Sequence, residues 1–174
     1  MTTKRAGAAL GTLLATAVVV VAIIQATGDA NAGRSDQMTV ERVVDGDTVV
    51  IHLGGRDEHV RLIGIDTPET VDPRKPVQCF GKEASRRTAA LLPRGTGVRL
   101  ERDVEARDRF GRLLAYVFRV DDGTFVNLAL AEEGYALSLT IPPNVAYADR
   151  FAAAVADARH AGRGLWGACG ARQD

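Results

Sequence analysis

The stretch MTVERVVDGDTVVIHL, residues 38–53, gives the clearest indication of the fold of this chain. Two runs rich in Val and Ile, residues 38–44 and 48–53, flank the dipeptide Asp45-Gly46. Asp-Gly between two β-branched runs is a favoured sequence for a tight hairpin turn. The stretch therefore predicts two antiparallel strands, with the Asp47 carboxylate just past the turn.

The same pattern of short apolar runs and turn residues continues along the chain. Further strands are predicted at residues 58–65, 97–103 and 112–120, and helices at 81–92, 125–133 and 145–161. In the third strand, alternation places Val60 and Leu62 on one face and Arg61, Ile63 and Ile65 on the other. Five short strands with three helices predict an α+β fold with a mainly β core. Its expected form is a five-stranded antiparallel barrel of the OB type, although the pattern alone also suits other α+β plans.

Composition and charge describe one folded domain without a strongly basic surface. The 174 residues are 46% apolar and 25% charged, and 22 basic residues balance 22 acidic ones. A protein that coats duplex nucleic acid usually has a large positive excess, which is absent from this composition. Any attraction for phosphate must therefore come from a local group of residues.

The N-terminal segment has the features of a secretory signal. Lys4 and Arg5 precede an apolar run over residues 6–26, and Ala30-Asn31-Ala32 offers small residues for cleavage. We expect a signal peptide over 1–32, a linker over 33–37, the domain over 38–167 and a tail over 168–174. The expected location is extracellular. The alternative is a retained anchor, because residues 6–26 approach the length that spans a bilayer.

The chain has two cysteines, Cys79 and Cys169, both beyond the predicted signal. An even number of cysteines in an oxidising compartment favours a disulfide. The alternative is a pair of small unbonded apolar residues.

Two acidic clusters and two arginines carry the chemistry of the chain. The clusters are Asp45-Gly46-Asp47-Thr48 and Asp66-Thr67-Pro68-Glu69, and the arginines are Arg61 and Arg112. Each feature has an ordinary structural interpretation: a hairpin turn, a polar strand end, an exposed arginine. Together they supply carboxylate oxygens, which select Ca²⁺, with Mg²⁺ or Mn²⁺ as alternatives, and guanidinium groups suited to phosphate. Asp103, Glu105 and Asp108 are interpreted as a solvated charged turn, with Asp108 a candidate support for the loop that follows it.

The order and spacing of several short motifs resemble the staphylococcal-type nuclease (thermonuclease) family. The matching pieces are VVDGDTV (43–49), RL (61–62), DTPET (66–70), GKEAS (81–85), DRFGRLLAY (108–116), VN (126–127) and GLW (164–166). They cover about residues 40–167, essentially the whole predicted domain. The resemblance implies an OB-fold barrel with three helices and a Ca²⁺-dependent phosphodiesterase that cuts DNA and RNA and leaves 3′-phosphate ends.

The resemblance also assigns the metal and its surroundings. Asp47 and Asp66 are expected to ligate the metal through their carboxylates, and Thr67 through its backbone carbonyl. Asp45 is expected near the metal without contacting it. Glu69 is expected to be the general base that activates water.

The remaining assignments concern the phosphate and the substrate. Arg61 and Arg112 are expected to grip the scissile phosphate, with Arg112 also the candidate for the group that protonates the leaving oxygen. Arg109 and Phe110 are expected to contact substrate. Phe110 and residues 137–144 depart from the family, which has tyrosines there, and Tyr135 and Tyr147 are candidate substitutes.

Function and partners follow as expectations with one main alternative. The expected substrates are single-stranded or flexible DNA and RNA, and the expected state is a monomer without an obligate protein partner. The alternative is a catalytically silent OB-fold module that binds nucleic acid, since one fold hosts both roles. A calcium-stabilised structural protein is a third interpretation.

Overall fold

A computed structural model describes residues 37–70 and 77–169, together with Thr2. The chain divides into two units, Met1–Asp36 and Gln37–Asp174, and the fold is that of the second. The predicted signal, apart from Thr2, lies outside the described residues, and so does most of the predicted linker. Within the described ranges, no helix is both long and apolar enough to cross a membrane.

Seven strands and four helices make up the described part of the chain. The strands are β1 (Thr39–Val43), β2 (Thr48–Leu53), β3 (Arg56–Leu62), β4 (Gly64–Asp66), β5 (Val98–Glu101), β6 (Leu113–Arg119) and β7 (Leu137–Leu139). The helices are α1 (Gly81–Leu91), α2 (Val126–Glu132), α3 (Ala148–His160) and α4 (Leu165–Ala168). The five main strands and three longer helices lie where the sequence predicts them, while β4, β7 and the one-turn α4 were not predicted as separate elements.

The five main strands form a curled sheet in the order β1-β2-β3-β6-β5. Val40 donates its backbone N–H to the Thr96 carbonyl at 2.9 Å, and Thr39 bridges Gly97, so the first strand approaches the last. This half-barrel is consistent with an OB-like fold. The prediction of an all-antiparallel barrel is wrong at one place, because β3 and β6 are parallel. The chain passes through α1 and β5 between these strands, which lets β6 run in the direction of β3.

The predicted third strand is broken into β3 and β4 at Ile63–Gly64. Gly64 has φ 83°, and a Cβ there would overlap the Phe151 ring, so glycine suits both the backbone and the packing. The break shifts the alternation of side chains along the strand. Ile65 is therefore buried in the core with Val60 and Leu62, and the prediction that placed it on the face of Arg61 is wrong.

A buried amide holds this break in place. The Asn127 side chain donates to the carbonyls of Ile63 at 2.9 Å and Ala115 at 3.2 Å, and it accepts the Val117 N–H at 2.9 Å. Asn127 is fully buried, so losing it would leave several backbone groups without partners. It connects the start of α2 to the two parallel strands.

The loop between β1 and β2 is longer than the predicted two-residue turn and covers residues 44–47. Its tip is packed against the second acidic cluster, since a Cβ on Gly46 would lie 2.5 Å from the Thr67 hydroxyl oxygen. The Gly46 carbonyl also accepts a hydrogen bond from the Thr88 hydroxyl at 2.6 Å. The loop is thus folded inwards, and Asp47 is carried towards residues 66–69.

The helices cover the barrel mainly with the faces that periodicity predicts. Helical spacing predicts one face of Ala84, Thr88, Leu91 and Leu92 in the helix over 81–92, and all four are buried. For the helix over 145–161 it predicts a face of Ala148, Phe151, Ala152, Val155 and Ala158. Phe151 and Ala158 are buried, but Ala154 is buried in place of Ala152, which is exposed.

The expected disulfide between Cys79 and Cys169 is present, with the two Cα atoms 5.9 Å apart. It ties the residue two positions before α1 to the end of α4.

Candidate active site

The two acidic clusters meet at the Asp47 carboxylate. Asp47 is only 6% exposed. Its Oδ2 accepts hydrogen bonds from the Thr67 N–H at 2.9 Å and the Thr67 hydroxyl at 3.0 Å, while its Oδ1 accepts from the Thr48 hydroxyl at 3.2 Å. A buried carboxylate is stable only with such partners. The structure therefore brings the start of β2 and the end of β4 together, as the sequence predicts.

Arg61 links the two clusters through one nitrogen atom. Its Nη2 lies 2.8 Å from Asp66 Oδ1 and 3.1 Å from Asp47 Oδ2. Its Nη1 donates to the carbonyls of Leu62 at 2.7 Å and Ile65 at 3.0 Å, on either side of the strand break. The side chain is 13% exposed. An arginine held by four acceptors presents its charge in a fixed position.

Arg112 is fixed by Asp108. Its Nε donates to Asp108 Oδ2 at 2.8 Å, and its backbone N–H donates to Asp108 Oδ1 at 3.0 Å. Burial raises the pKa of Asp108, but the hydrogen bonds from Arg112 and from the Phe110 N–H outweigh it and hold that pKa below its usual value. Arg112 Nη1 also reaches the Thr48 hydroxyl at 3.4 Å, a long contact.

The interpretation of Asp103, Glu105 and Asp108 as a solvated turn is wrong for Asp103, whereas Asp108 supports the loop that follows it, as the sequence also suggested. Asp108 orients Arg112, and Asp103 accepts hydrogen bonds from the Tyr116 hydroxyl and the Ala146 N–H, both at 2.9 Å. The sequence offered a signal only for Asp108, which stands four residues before Arg112.

The parallel pairing of β3 and β6 places the two arginines side by side. Arg61 is opposite Leu114, two residues after Arg112. Both arginines line a cavity of about 480 Å³, a volume within the usual range for small-ligand sites. Ile63, Leu139 and Ile141 line it as well, together with the acidic residues Glu105 and Asp108. The cavity thus combines arginines with apolar side chains.

Arg109 and Phe110 also line this cavity. The Phe110 ring is 70% exposed, and the guanidinium carbons of Arg109 and Arg112 lie 4.8 and 5.6 Å from its centre. Tyr135 and Tyr147 are used elsewhere: Tyr135 packs against Phe80, and Tyr147 donates its hydroxyl to Glu101 at 2.6 Å. Leu139 and Ile141 give the wall an apolar character.

Glu69 does not line the cavity with the two arginines. Its carboxylate Oε1 accepts the Thr70 N–H at 2.8 Å. Its backbone is held by Gln78, whose side-chain Oε1 accepts the Glu69 N–H at 2.7 Å and whose N–H donates to the Glu69 carbonyl at 2.9 Å. Sequence reasoning did not identify Gln78, because a contact between a side chain and a distant backbone leaves no periodic signal.

The carboxylate oxygens of Asp47 and Asp66 suit a hard cation but do not complete its coordination. Asp47 and Asp66 lie side by side because both contact the same Arg61 nitrogen. Within residues 37–70 and 77–169, no three His, Cys, Asp or Glu side chains are grouped closely enough to hold a metal by themselves. A cation here would need a backbone carbonyl, water or phosphate oxygens as well, which is usual for Ca²⁺ and Mg²⁺.

Asp45 lies beside this pair of carboxylates. Its Oδ1 accepts the Asp47 N–H at 3.1 Å. Burial, reinforced by the charge of the Asp47 carboxylate, raises the pKa of Asp45 to about 6. Asp45 is thus part of the acidic cluster and stabilises the loop that presents Asp47.

Comparison with known proteins gives the same family for the whole domain. The family described as staphylococcal nuclease homologue matches residues 59–168. A thermonuclease of Staphylococcus intermedius is 45% identical over 78% of this chain and 82% of its own length. A thermonuclease of Staphylococcus hyicus is 37% identical over 90% of this chain and 95% of its own length.

A third relative broadens the range of organisms. Endonuclease YncB of Bacillus subtilis (strain 168) is 37% identical over 76% of this chain and 63% of its own length. The paired arginines, the joined acidic clusters and these matches agree, and the chain belongs to the staphylococcal nuclease family as a nuclease of the micrococcal type.

Proposed function

We propose that this nuclease hydrolyses phosphodiester bonds of DNA and RNA with the help of Ca²⁺ and leaves 3′-phosphate ends. One observation supports the proposal most directly: Arg61 contacts both Asp47 and Asp66 and lines the same cavity as Arg112. A phosphate placed there would meet two guanidinium groups and the adjacent carboxylate pair. This is the arrangement that an anionic phosphodiester and a hard cation require together.

Arg61 and Arg112 supply the positive charge that the reaction needs. Negative charge grows on the phosphoryl oxygens as the new bond forms, and donors already held in place stabilise it without reorganising. Arg61 is held by its four acceptors and Arg112 by Asp108. A phosphate in the cavity would meet these two fixed guanidinium charges, and each contact would restrict the orientation of the scissile group.

Glu69 accepts the proton of the attacking water in this proposal. The water oxygen bonds to phosphorus, the bond from phosphorus to the 5′ oxygen breaks, and the phosphate stays on the 3′ oxygen. The leaving 5′ oxygen takes up a proton, for which Arg112 is the candidate donor. A positioned base typically contributes about 10²–10⁴-fold to the rate.

The carboxylates of Asp47 and Asp66 and the carbonyl of Thr67 would hold the cation. When bound, Ca²⁺ would add positive charge next to the phosphate oxygens. The oxygen-only character of these groups supports a hard cation, and Ca²⁺ is preferred over Mg²⁺ and Mn²⁺ on the resemblance to thermonucleases.

The cavity wall supports single-stranded or unpaired substrates. Phe110 offers an exposed ring on which a base can stack, and stacking tolerates any base. Arg109 beside it would meet a second phosphate. A base buried inside a duplex could not reach this wall without leaving its stack.

We also propose that the protein acts outside the cytoplasm as a monomer, either released or held by residues 6–26. The signal-like N-terminus and the disulfide support this location, because disulfides persist in oxidising compartments.

Turnover of the purified full-length protein on single-stranded DNA and RNA tests the function. We expect cleavage with Ca²⁺, none with a chelator, and a loss of about 10²-fold or more in Glu69→Gln. Glu83→Gln, on the surface of α1, is the matched control and should cut at the wild-type rate. End-group analysis of the products should show 3′-phosphates and 5′-hydroxyls.

Binding without cleavage would favour the alternative function, a catalytically silent module that binds nucleic acid. A folded protein that binds single-stranded DNA but leaves it uncut at any Ca²⁺ concentration would contradict the proposal. Equal cleavage by wild type and Glu69→Gln would remove Glu69 from its role while leaving the nuclease activity in place.

A further inference from the structure

We propose that Gln78 is a positioning residue for Glu69, and that the adjacent Cys79–Cys169 disulfide holds Gln78 in place, so that the oxidised pair sets the rate of cleavage. The inference rests on the role of Glu69 proposed above. It concerns residues that contact neither phosphate nor metal in that proposal.

Gln78 holds the Glu69 peptide unit from two sides. Its side-chain Oε1 accepts the Glu69 N–H at 2.7 Å, and its backbone N–H donates to the Glu69 carbonyl at 2.9 Å. Both backbone groups of Glu69 are therefore bonded to one residue. Such a clamp fixes the Cα of Glu69 and so limits where its carboxylate can lie.

The segments on either side of this clamp are in close backbone contact. Gly81 donates its N–H to the Gln78 carbonyl at 3.1 Å. A Cβ on Gly81 would lie 2.9 Å from the Pro68 carbonyl oxygen and 3.1 Å from that of Glu69. The start of α1 therefore packs directly against the backbone of residues 68–69.

A covalent path joins Gln78 to the core of the molecule. Cys79 is bonded to Cys169, which donates its N–H to the Leu165 carbonyl at 2.9 Å at the end of α4. Leu165 is fully buried, and its own N–H donates to the Gly134 carbonyl at 2.9 Å. The disulfide thus anchors the chain one residue from Gln78 to a short helix whose first residue, Leu165, is buried.

Reduction of this bond should loosen the clamp without dismantling the phosphate site. A dithiol attacks one sulfur, forms a mixed disulfide, and then closes into its own cyclic disulfide. Two electrons and two protons pass to the protein, and Cys79 and Cys169 become thiols. Arg61 and Arg112 are held by other contacts, on β3 and by Asp108, so substrate binding should persist.

Two substitutions of similar size separate the hydrogen bond from mere packing. Gln78→Met keeps the length of the side chain but has no strong acceptor, whereas Gln78→Glu keeps an acceptor oxygen. We expect Gln78→Met to lower kcat by about 10-fold or more, since small misplacements of catalytic groups are costly, and to change KM by less than about threefold. Gln78→Glu should retain kcat within about threefold.

Hydrogen exchange provides a readout that does not depend on activity. The Glu69 amide should exchange slowly in the wild type and in Gln78→Glu, and faster in Gln78→Met, because its acceptor is then gone. Equal protection of the Glu69 amide in all three proteins would overturn the clamp.

A double mutant distinguishes this inference from the proposed function. If Gln78 acts through Glu69, then Gln78→Met should cause no further loss in a Glu69→Gln background. Full additivity would overturn the inference. If Glu69→Gln is inactive while Gln78→Met has wild-type kcat, the proposed function stands and the positioning role fails. If Glu69→Gln itself has wild-type kcat, the role of Glu69 and the positioning role of Gln78 both fail, while the nuclease activity stands.

The disulfide is tested by adding dithiothreitol to the wild type and to a Cys79→Ser/Cys169→Ser variant. Circular dichroism should first show that both are folded at the assay temperature. We expect reduction to lower the wild-type kcat by about 3- to 10-fold, with KM preserved, to the level of the double variant. The double variant should not respond to dithiothreitol. An unchanged kcat after complete reduction, measured by thiol titration, would overturn the redox dependence.

Discussion

Asp108 receives two hydrogen bonds from Arg112, one from the side-chain Nε at 2.8 Å and one from the backbone N–H at 3.0 Å. The same carboxylate thus fixes both the backbone position of Arg112 and the orientation of its guanidinium group. Asp108→Asn keeps one acceptor oxygen and replaces the other with an amide that cannot accept. We expect kcat to fall by about 10- to 100-fold, because the Arg112 charge is then less well oriented.

Steady-state kinetics on a short single-stranded DNA checks this expectation. Asp121→Asn is the matched control, since Asp121 forms an equivalent two-bond pair with Arg119 at an exposed position. It should leave kcat unchanged. Equal kinetics in Asp108→Asn and wild type would show that Arg112 does not depend on Asp108.

Arg61→Lys should lower the nuclease activity strongly, although it preserves the positive charge. Lysine presents a single ammonium group, and it cannot reach two backbone carbonyls and two carboxylates together. We expect activity to fall by at least about 10²-fold. Arg94→Lys, in an exposed pair with Glu41, serves as the control and should be neutral. Near-wild-type activity in Arg61→Lys would show that the four contacts of the Arg61 guanidinium are not needed for catalysis.

Phe110→Ala should affect substrate affinity more than the chemical step. The ring is 70% exposed in the cavity wall, and loss of one base–aromatic stack costs about 1–3 kcal/mol. We therefore expect KM to rise several-fold or more, with little change in kcat. Val120→Ala removes an exposed apolar side chain elsewhere and should change neither constant. A fall in kcat at constant KM would mean that Phe110 acts on the reaction rather than on binding.

The disulfide should contribute strongly to stability as well. Cys79 and Cys169 are 90 residues apart, and closing a loop of that length stabilises the folded state by about 4 kcal/mol in the chain-entropy account. Urea unfolding of Cys79→Ser/Cys169→Ser should show a loss of this order. Equal free energies of unfolding for that variant and the reduced wild type would confirm that loss of the disulfide, and not the serine side chains, causes the destabilisation.

Asp103 should make stability depend on pH in the acid range. Burial raises its pKa, but hydrogen bonds from Ala146, Tyr116 and Val104 outweigh it, so the pKa of Asp103 in the folded state lies below that of an ordinary aspartate. The unfolded chain then takes up the proton first as pH falls. The contribution of Asp103 is complete above the unfolded pKa and is lost as pH falls through the folded one.

Asp103→Asn should lower the free energy of unfolding at pH 7 by about 1–2 kcal/mol and should weaken the acid dependence. Urea titrations at several pH values check both effects. Asp157→Asn, at an exposed position of α3, is the matched control for an Asp-to-Asn change away from these contacts. A wild-type acid slope in Asp103→Asn would assign the acid sensitivity to other carboxylates.

Local pattern was sufficient to predict most of the elements. The hairpin β1–β2 and the buried face of α1 follow from periodicity and turn residues, because these depend on near neighbours in the chain. The grouping of Asp47 with Asp66 also came from the sequence, through the family motifs that contain them. A single sequence is thus informative about contacts between near neighbours in the chain and about complete motifs.

What escaped prediction depends on distant partners. The parallel pairing of β3 with β6 and the phase shift at Gly64 are fixed by Asn127 and Phe151, which lie far along the chain. Gln78 and Asp103 make hydrogen bonds with residues distant in the sequence, and neither residue type is diagnostic by itself. Local periodicity describes which face is apolar, but it does not describe which strand will be the neighbour.

The pairing of β3 with β6 has a consequence for when activity first appears during folding. Arg61 lies opposite Leu114, so the two arginines meet only after a long segment of chain has been closed into a loop. Such non-local pairings are characteristic of slow folding steps, whereas a hairpin such as β1–β2 can form early. A growing or partly folded chain would already carry the acidic residues and Arg61, yet it would lack the neighbouring Arg112. We therefore expect no cleavage from a chain in which β3 and β6 have not paired, so activity should appear in one late step of folding.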